Sequence, residues 1–309
     1  MRVWRLTIPM AALFAILLLP LFPSLSAAQS IVTGAVNGTI TDPAGAMVSS
    51  SPVALTNAET GATRTAVTNE GGHFLFSLLV PGSYTLTFER PGFRNTRQAI
   101  EVLLGQTTTT NIHLVLGSTA QAITVLGTDE GLHTEDGNVA SNIDAKMIAN
   151  IPNPGGDITH YAQVVPGVMM NTSSIPGFGN FSAFGMPGTS NLFTINGNDY
   201  NDSYVNVNNT GSSNLLLGSN EVQEVAVVTN GYTGQYGRQA GAQVNYSTKS
   251  GSNVFHGDAV YNWNGSSLNA NDFFLNSGGV PKPFENNNQW AASFGGPIKK
   301  DKAFFFVNT

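Results

Sequence analysis

Side chains that could bind a metal or catalyse a reaction are few in this chain and are scattered along it. No two of its five histidines have the spacing of a metal site; they are His73, His113, His133, His160 and His256. The chain has no cysteine, which excludes disulfides, thiolate ligands and cysteine nucleophiles. It has neither a Gly-x-Ser-x-Gly elbow nor a Walker-type phosphate loop. We therefore expect no enzyme activity, no cofactor and no metal site.

Two short runs come nearest to a chemical site. Residues 133–135 (HTE) have the beginning of a zinc-deaminase signature but lack its cysteine pair. Residues 196–202 (NGNDYND) carry enough oxygen atoms to suggest a calcium loop, but they lack the spacing and the closing Glu of such a loop. Asn, Gly and Asp are also the residues that tight turns prefer. The sequence favours a solvated loop for the first run and a turn for the second.

One segment has the composition of a docking site for a protein. Ala122–Leu126 is a short apolar run flanked by Ser, Thr, Gly, Asp and Glu. It fits an edge strand of the domain that precedes it. It also fits an extended strip that adds itself to the edge of a partner's sheet. Both interpretations remain open at the level of the sequence.

The strands near the C-terminus have two unlike faces. Phe255, Gly257, Ala259, Tyr261 and Trp263 alternate with mostly polar residues, and Trp290, Ala292 and Phe294 repeat the pattern later. An apolar, aromatic-tipped face opposite a polar face is typical of a membrane β-barrel strand, although a soluble sandwich strand can show the same period. The long segment between these strands and the short basic turn at 299–302 match the two ends of an outer-membrane barrel.

Composition and charge point away from the cytosol and from nucleic acid. Of the 309 residues only 10% are charged, against about 25% in a typical soluble protein, and 34 are glycine. Residues 1–28 have a positive start, an apolar core and a small-residue end, which predicts a cleaved export signal rather than an uncleaved anchor. Without it, 11 basic side chains face 19 acidic ones, a charge of −8. That balance disfavours nucleic acid as a partner.

Residues 30–116 alternate in about seven short runs separated by turns, as in a small β-sandwich. Residues 38–45 (GTITDPAG), 68–76 (TNEGGHFLF) and 79–86 (LVPGSYTL) resemble the carboxypeptidase regulatory-like domain. This resemblance implies a transthyretin-like sandwich with a carbohydrate-binding-like fold. It implies no catalysis, because such domains accompany a peptidase without being the catalyst. A sugar-binding role would rest on fold analogy alone.

Residues 138–250 mix helical and strand patterns. The spacing predicts helices over 143–149 and over 158–165, the second capped by Asp157, strands over 192–197 and 222–228, and long loops such as 170–190.

Residues 158–168, 193–199, 221–228 and 232–257 resemble the plug domain of TonB-dependent outer-membrane receptors. The sequence departs from that pattern in two places: it lacks the Arg often found before Asp157, and Asn196 stands where Asp is common. Both departures leave local contacts uncertain without bearing on the fold.

The resemblance implies partners and site residues. TonB would contact the strip Ile123, Thr124 and Val125 from the periplasm, and an unidentified ligand, an oligosaccharide or a chelate, would bind outside. Outer-membrane lipid would surround the barrel. The hinge between plug and barrel would comprise Tyr236, Gly237, Arg238 and Gly241. For Arg238, a hydrogen bond from plug to barrel is favoured over a ligand contact.

The predicted fold is mainly β, with a sandwich, an α+β plug and the first strands of an incomplete barrel. The predicted boundaries are 1–28 for the signal, 30–116 for the sandwich, 117–137 for a linker, 138–250 for the plug and 251–309 for about three barrel strands. A barrel around such a plug needs about 22 strands, and only 59 residues follow Ser250, so we expect a C-terminally truncated receptor. The alternative function is an outer-membrane adhesion or surface-binding protein without transport.

Overall fold

A computed structural model describes residues 31–117, 122–125, 138–151, 158–170, 181–201, 220–231, 234 and 236–309. The predicted export signal, residues 1–28, and the predicted cap Asp157 lie outside this part of the chain, as do residues 133–135. The described fold is mainly β, as the sequence predicts. Among the described helices, none has the length and apolar character that crossing a bilayer requires.

The N-terminal domain is a β-sandwich of two packed sheets. Its strands are β1 (Gly34–Thr41), β2 (Pro52–Asn57), β3 (Thr63–Val67), β4 (His73–Leu79), β5 (Gly82–Phe88), β6 (Asn95–Val102), β7 (Thr107–Thr109) and β8 (Ile112–His113). One sheet joins β4, β1, β7 and β8, and the other has the order β3-β2-β5-β6. The alternation in β5 buries Tyr84, Leu86 and Phe88 in the core between them, together with Phe74 and Phe76 of β4.

The linker contributes one strand to this sandwich. Strand β9 (Ala122–Val125) pairs in parallel with β6, with Ile123 opposite Thr96 and Thr124 opposite Arg97. It lies at the edge of the second sheet. The predicted strip therefore occupies an edge-strand position, which is the first of the two arrangements that the sequence left open.

The middle domain is built on one mixed sheet of order β10-β15-β16-β13-β14. These strands are β10 (Val139–Asp144), β13 (Leu192–Ile195), β14 (Asn198–Asp199), β15 (Val222–Asn230) and β16 (Gln243–Thr248). A small hairpin, β11 (Val168–Met170) with β12 (Phe181–Ala183), and the helix α1 (Ala145–Asn150) pack with two 3₁₀ helices at Ile158–Val164 and Gly188–Ser190. The core contains Ile143, Tyr161, Phe193, Val225 and Tyr246.

Three local predictions for this domain were wrong in detail. The helix predicted over 143–149 begins at Ala145, because Ile143 is buried as part of β10 and the Asp144 carboxylate accepts the Met147 N–H at 2.7 Å, capping the helix there. The segment predicted as a helix over 158–165 is a 3₁₀ helix. The loop predicted over 170–190 contains β12 and a 3₁₀ turn.

The C-terminal strands form an open antiparallel sheet: β17 (His256–Gly265), β18 (Asn286–Lys299) and β19 (Ala303–Asn308). Pairing places Tyr261 opposite Trp290 and Gly257 opposite Phe294, so the predicted apolar face is continuous and exposed. Phe255 stacks on Phe294 on this face. The long segment between β17 and β18 ends at Glu285 and contains a short helix, α2 (Phe273–Ser277).

Candidate functional site

The sandwich contacts the barrel sheet at the end that carries the short turn. The Asn253 N–H donates to the Glu59 carbonyl at 2.9 Å, and the Asn253 amide donates to the Asp301 carboxylate at 2.8 Å. Asp301 lies in the turn between β18 and β19, whereas the long loop with α2 lies at the opposite end of the strands. The sandwich is therefore placed at one defined end of the barrel.

A cleft of about 600 Å³ lies beside this contact, between sandwich, plug and barrel. Glu59, Lys249, His256 and Asp258 are among its lining residues. The described residues contain no group of three or more His, Asp or Glu side chains arranged to hold a metal ion.

Among the described residues, sandwich and plug are linked by a cluster of four residues, which we call the junction: Leu104, Gln106, Asn142 and Glu224. The Leu104 N–H, in the loop between β6 and β7, donates to both oxygens of the Glu224 carboxyl at 3.0 and 3.2 Å. The Asn142 amide donates to Glu224 and, at 3.2 Å, to the Leu104 carbonyl. Gln106 donates its own amide to Asn142 Oδ1. A chain of hydrogen bonds thus runs from the sandwich through β10 to β15.

The orientation of both amides in the junction follows from their neighbours. The Glu224 carboxyl and the Leu104 carbonyl both offer acceptor atoms, so the Asn142 amide must turn its NH₂ group toward them. Its Oδ1 then faces Gln106, which must present its own NH₂ group. Each member of the junction therefore constrains the next one.

This arrangement changes the acidity of the Glu224 carboxyl. Its side chain is buried, with 4% of its surface exposed, and burial raises the pKa of Glu224 to about 7. The hydrogen bonds from Asn142 and Leu104 act in the opposite direction, and the nearby charges of Glu101 and Asp144 add to the rise. The carboxyl of Glu224 therefore changes its charge near neutral pH.

The predicted hinge residues lie in one stretch but make unequal contacts. Gly241 lies so close to the chain at Ser190 that an added Cβ would come within 2.8 Å of the Ser190 carbonyl oxygen, while its N–H donates to that same oxygen at 2.7 Å. Gly237 has open space around it. A Cβ on Gly105 of the sandwich would lie 3.3 Å from the Tyr236 hydroxyl, so the loop that carries Leu104 also borders the hinge.

Arg238 forms an ion pair with Asp199, inside the plug. The plug-to-barrel hydrogen bond favoured for Arg238 is therefore replaced, in the described part of the chain, by a contact within one domain. Burial alone would raise the pKa of Asp199, but the hydrogen bond and charge of Arg238, with the N–H groups of Asn201 and Tyr200, outweigh it and hold that pKa below its usual value of 3.8. Roughly half of each side chain in the pair is exposed.

The oxygen-rich run at 196–202 forms a turn where it is described. Asn196 and Gly197, with φ of 48° and 81°, connect β13 to β14 as a two-residue hairpin turn. The Asn201 side chain accepts the Phe193 N–H at 2.7 Å and donates to the Asn191 carbonyl at 2.8 Å. The Asn201 amide thus uses both its oxygen and its NH₂ group to fix the segment beside the predicted hinge.

Comparison with known families gives each of the three domains a counterpart. Residues 35–115 match the carboxypeptidase regulatory-like domain, residues 133–244 the TonB-dependent receptor plug domain, and residues 247–309 an outer membrane β-barrel domain. The chain carries the domains of a TonB-dependent outer-membrane receptor.

Among curated proteins, the TonB-dependent transporter Oar of Myxococcus xanthus is 29% identical to this chain over 257 residues. That alignment covers 79% of this chain and 23% of the relative, so the chain spans about a quarter of the relative's length. Among solved structures, the siderophore receptor PirA of Acinetobacter baumannii matches 60% of this chain and 26% of its own at 21% identity, with a TM-score of 0.41. The outer membrane transporter YddB of Escherichia coli matches 50% and 24% at 16% identity, also with a TM-score of 0.41.

The structure places the predicted hinge next to a junction that the sequence did not predict. Nothing in the spacing marks Leu104, because it contributes its backbone rather than its side chain. Glu224 did leave a signal. It is the one charged residue in the apolar run 222–228, and such a residue on a buried strand needs hydrogen-bond partners from elsewhere in the fold.

Proposed function

We propose that this chain is the N-terminal part of an outer-membrane receptor that takes up an unidentified substrate with energy delivered through TonB. The order of domains in one chain carries the proposal: a sandwich, a plug and amphipathic barrel strands follow each other with the boundaries 30–116, 138–250 and 251–309. Residues 1–28 would direct its export, and 117–137 would link sandwich to plug. Transport would belong to a receptor whose barrel closes around the plug.

The ends of the barrel strands support a periplasmic place for the sandwich. Outer-membrane barrels have short turns on the periplasmic side and longer loops outside. Asn253, which contacts the sandwich at Glu59, also bonds Asp301 of the short turn. The sandwich and the junction would therefore face the periplasm, where TonB acts.

The aromatic side chains support a membrane position for the strands. Trp263 and Tyr261 are exposed on the apolar face, and each donates a hydrogen bond to an Asn of β18, at 2.8 and 2.7 Å. Phe255 and Phe294 lie on the same face nearer the short turn. Rings with a polar tip near one end of an apolar band are typical of a membrane interface.

TonB would bind the strip Ile123, Thr124 and Val125. The strip already has an extended backbone, since it forms β9 and pairs with β6. A strand of TonB could pair with β9 in place of β6. To test this, the full chain solubilised in detergent is incubated with the periplasmic domain of TonB and recovered by pull-down. Ile123→Pro should abolish recovery, because proline removes an N–H that a pairing strand needs, whereas Ala120→Pro outside the strip should not. Equal recovery of TonB with both variants would contradict the assignment of the strip as the TonB-binding segment.

The exposed side chains of the long loop favour a second candidate, a surface protein that binds without transporting. Phe273, Phe274 and Phe284 are each at least 75% exposed at the end opposite to the sandwich. Growth of cells on candidate ligands, with and without TonB, separates the two functions. A receptor that takes up its ligand requires TonB, whereas an adhesion protein is indifferent to it.

A further inference from the structure

Strand β10 is the first strand of the plug sheet along the chain. It lies at the edge of the sheet, next to β15. Val139 is exposed, and Ile143 is its one residue in the plug core. Besides the ladder to β15, the Thr229 hydroxyl donates to the Val139 carbonyl at 3.2 Å. Asn142 therefore makes the main side-chain contact of this strand before Ile143.

That contact comes from the sandwich as well as from the plug. Asn142 lies between Gln106 and the Leu104 carbonyl on one side and Glu224 on the other. The loop that carries these groups is itself fixed to β1, because the Ala35 N–H donates to the Gln106 carbonyl at 2.9 Å. Moving β10 away from β15 thus requires breaking bonds to a separately folded domain.

We infer that the sandwich is a lock on the plug: its 103–106 loop clamps β10 onto β15 through Asn142 and Glu224, and this clamp must open before the first plug strand can leave the sheet. The inference rests on the proposed function, because a pull on the strip would reach the plug through β10. It goes beyond that function by assigning the sandwich a task inside the receptor.

The closed junction also has a feature that favours its opening. Gln106 Oε1 is buried and has no hydrogen-bond partner among the described residues, so the closed junction leaves one acceptor unsatisfied. An unsatisfied buried acceptor lowers the stability of the closed state relative to an open, hydrated one. Asn142 therefore holds the clamp through three hydrogen bonds, whereas the unsatisfied oxygen of Gln106 weakens it.

Hydrogen exchange of the purified full chain in detergent tests the lock without any ligand or TonB. Asn142→Ala should lower the protection of the β10 amides by about tenfold, since it removes three hydrogen bonds around one side chain. Ser141→Ala, a neighbour on the same strand outside the junction, is the matched control and should leave protection within about twofold. Equal protection in the two variants overturns the lock.

A second variant covers the case in which Asn142→Ala unfolds the plug. Gln106→Ala changes only the sandwich side of the junction, and protection of β15 and β16 reports whether the plug sheet is intact. With that sheet intact, β10 should lose protection by about threefold to fivefold. Unchanged protection of β10 in Gln106→Ala contradicts the proposal. Failure of the wild-type chain to bind TonB would instead contradict the proposed function. The hydrogen-exchange comparison would still show whether the sandwich holds β10 in the plug sheet.

Discussion

Two carboxylates near the predicted hinge of the plug are fixed in opposite ways. Glu224 is buried in the junction and receives hydrogen bonds from uncharged donors of two domains. Asp199 is about half exposed and pairs with the charged Arg238 inside one domain. Burial dominates at Glu224 and raises its pKa. At Asp199 burial also acts to raise the pKa, but Arg238 and two backbone N–H groups together outweigh it and lower the pKa.

The difference shows which contact can couple domains. An exposed ion pair exchanges one hydrated state for another and contributes little to stability. A buried carboxyl with fixed donors makes the position of each domain depend on the other, because a separated donor or acceptor would be left without a partner. The junction, and not the ion pair, is therefore where movement of the sandwich would be felt by the plug.

The largest expected effect is a dependence of the free energy of unfolding on pH that originates at Glu224 in the junction. The folded-state pKa of Glu224 is raised from 4.5 to about 7, so the folded protein binds this proton more tightly than the unfolded chain. The resulting stabilisation is complete below pH 4.5 and is lost as the pH rises through 7, amounting to about 3 kcal/mol. Urea unfolding followed by circular dichroism at pH 5 to 8 measures it. Glu224→Gln should flatten this dependence, and a slope that survives the substitution would show that Glu224 is not its source.

Removing the buried carboxyl should cost about 2 kcal/mol at pH 6, where it is mainly protonated. Glu224→Ala leaves the Leu104 N–H buried without its acceptor and opens space beside Asn142. Glu221→Ala, a less buried carboxylate three residues earlier, is the control and should change the free energy of unfolding by less than about 0.5 kcal/mol. Similar losses of unfolding free energy in both variants would show that the Glu224 carboxyl contributes no more to stability than the less buried carboxylate of Glu221.

Close packing in the hinge should matter more than the ion pair there. Gly241→Ala forces a methyl group against the Ser190 carbonyl and should destabilise the plug by about 1–3 kcal/mol. Gly237→Ala adds the same methyl group to open space and serves as the control. Thermal unfolding of the two variants makes the comparison, and a Gly237→Ala loss as large as that of Gly241→Ala would place the constraint elsewhere.

The smallest effect is expected at the exposed pair. Arg238→Gln should lower the free energy of unfolding by about 0.5 kcal/mol at low salt, and the loss should vanish in 1 M NaCl because the side chains are hydrated. Unfolding at both salt concentrations measures it. A salt-independent loss above 1 kcal/mol would mean that the pair acts as a buried contact.

What the sequence predicted well depends on local patterns. The alternation of Tyr84, Leu86 and Phe88 identifies a half-buried strand within five residues. The composition of the run 196–202 indicates a turn, although the strand predicted over 192–197 ends at Ile195. The barrel face at Tyr261 and Trp263 follows from the same alternation. These features need no knowledge of distant residues.

What the sequence did not predict depends on distant or backbone contacts. Leu104 and Glu224 are 120 positions apart, and Leu104 takes part through an N–H group that every residue but proline has. The start of α1 was available in principle, since Asp144 is a strong capping residue, but the helical spacing of Ile143 obscured it. Spacing alone could not tell that Ile143 faces the core from a strand.

Cross-linking in cells tests the central claim, contact between TonB and the strip, most directly. A photoreactive amino acid is placed at Thr124 in β9 and, as the control, at Thr65 in β3, and cross-linked products are probed with antibody against TonB. Our account predicts a TonB adduct from position 124 and none from position 65, which lies on the opposite edge of the same sandwich sheet. No adduct at position 124, or equal adducts at both positions, would contradict it.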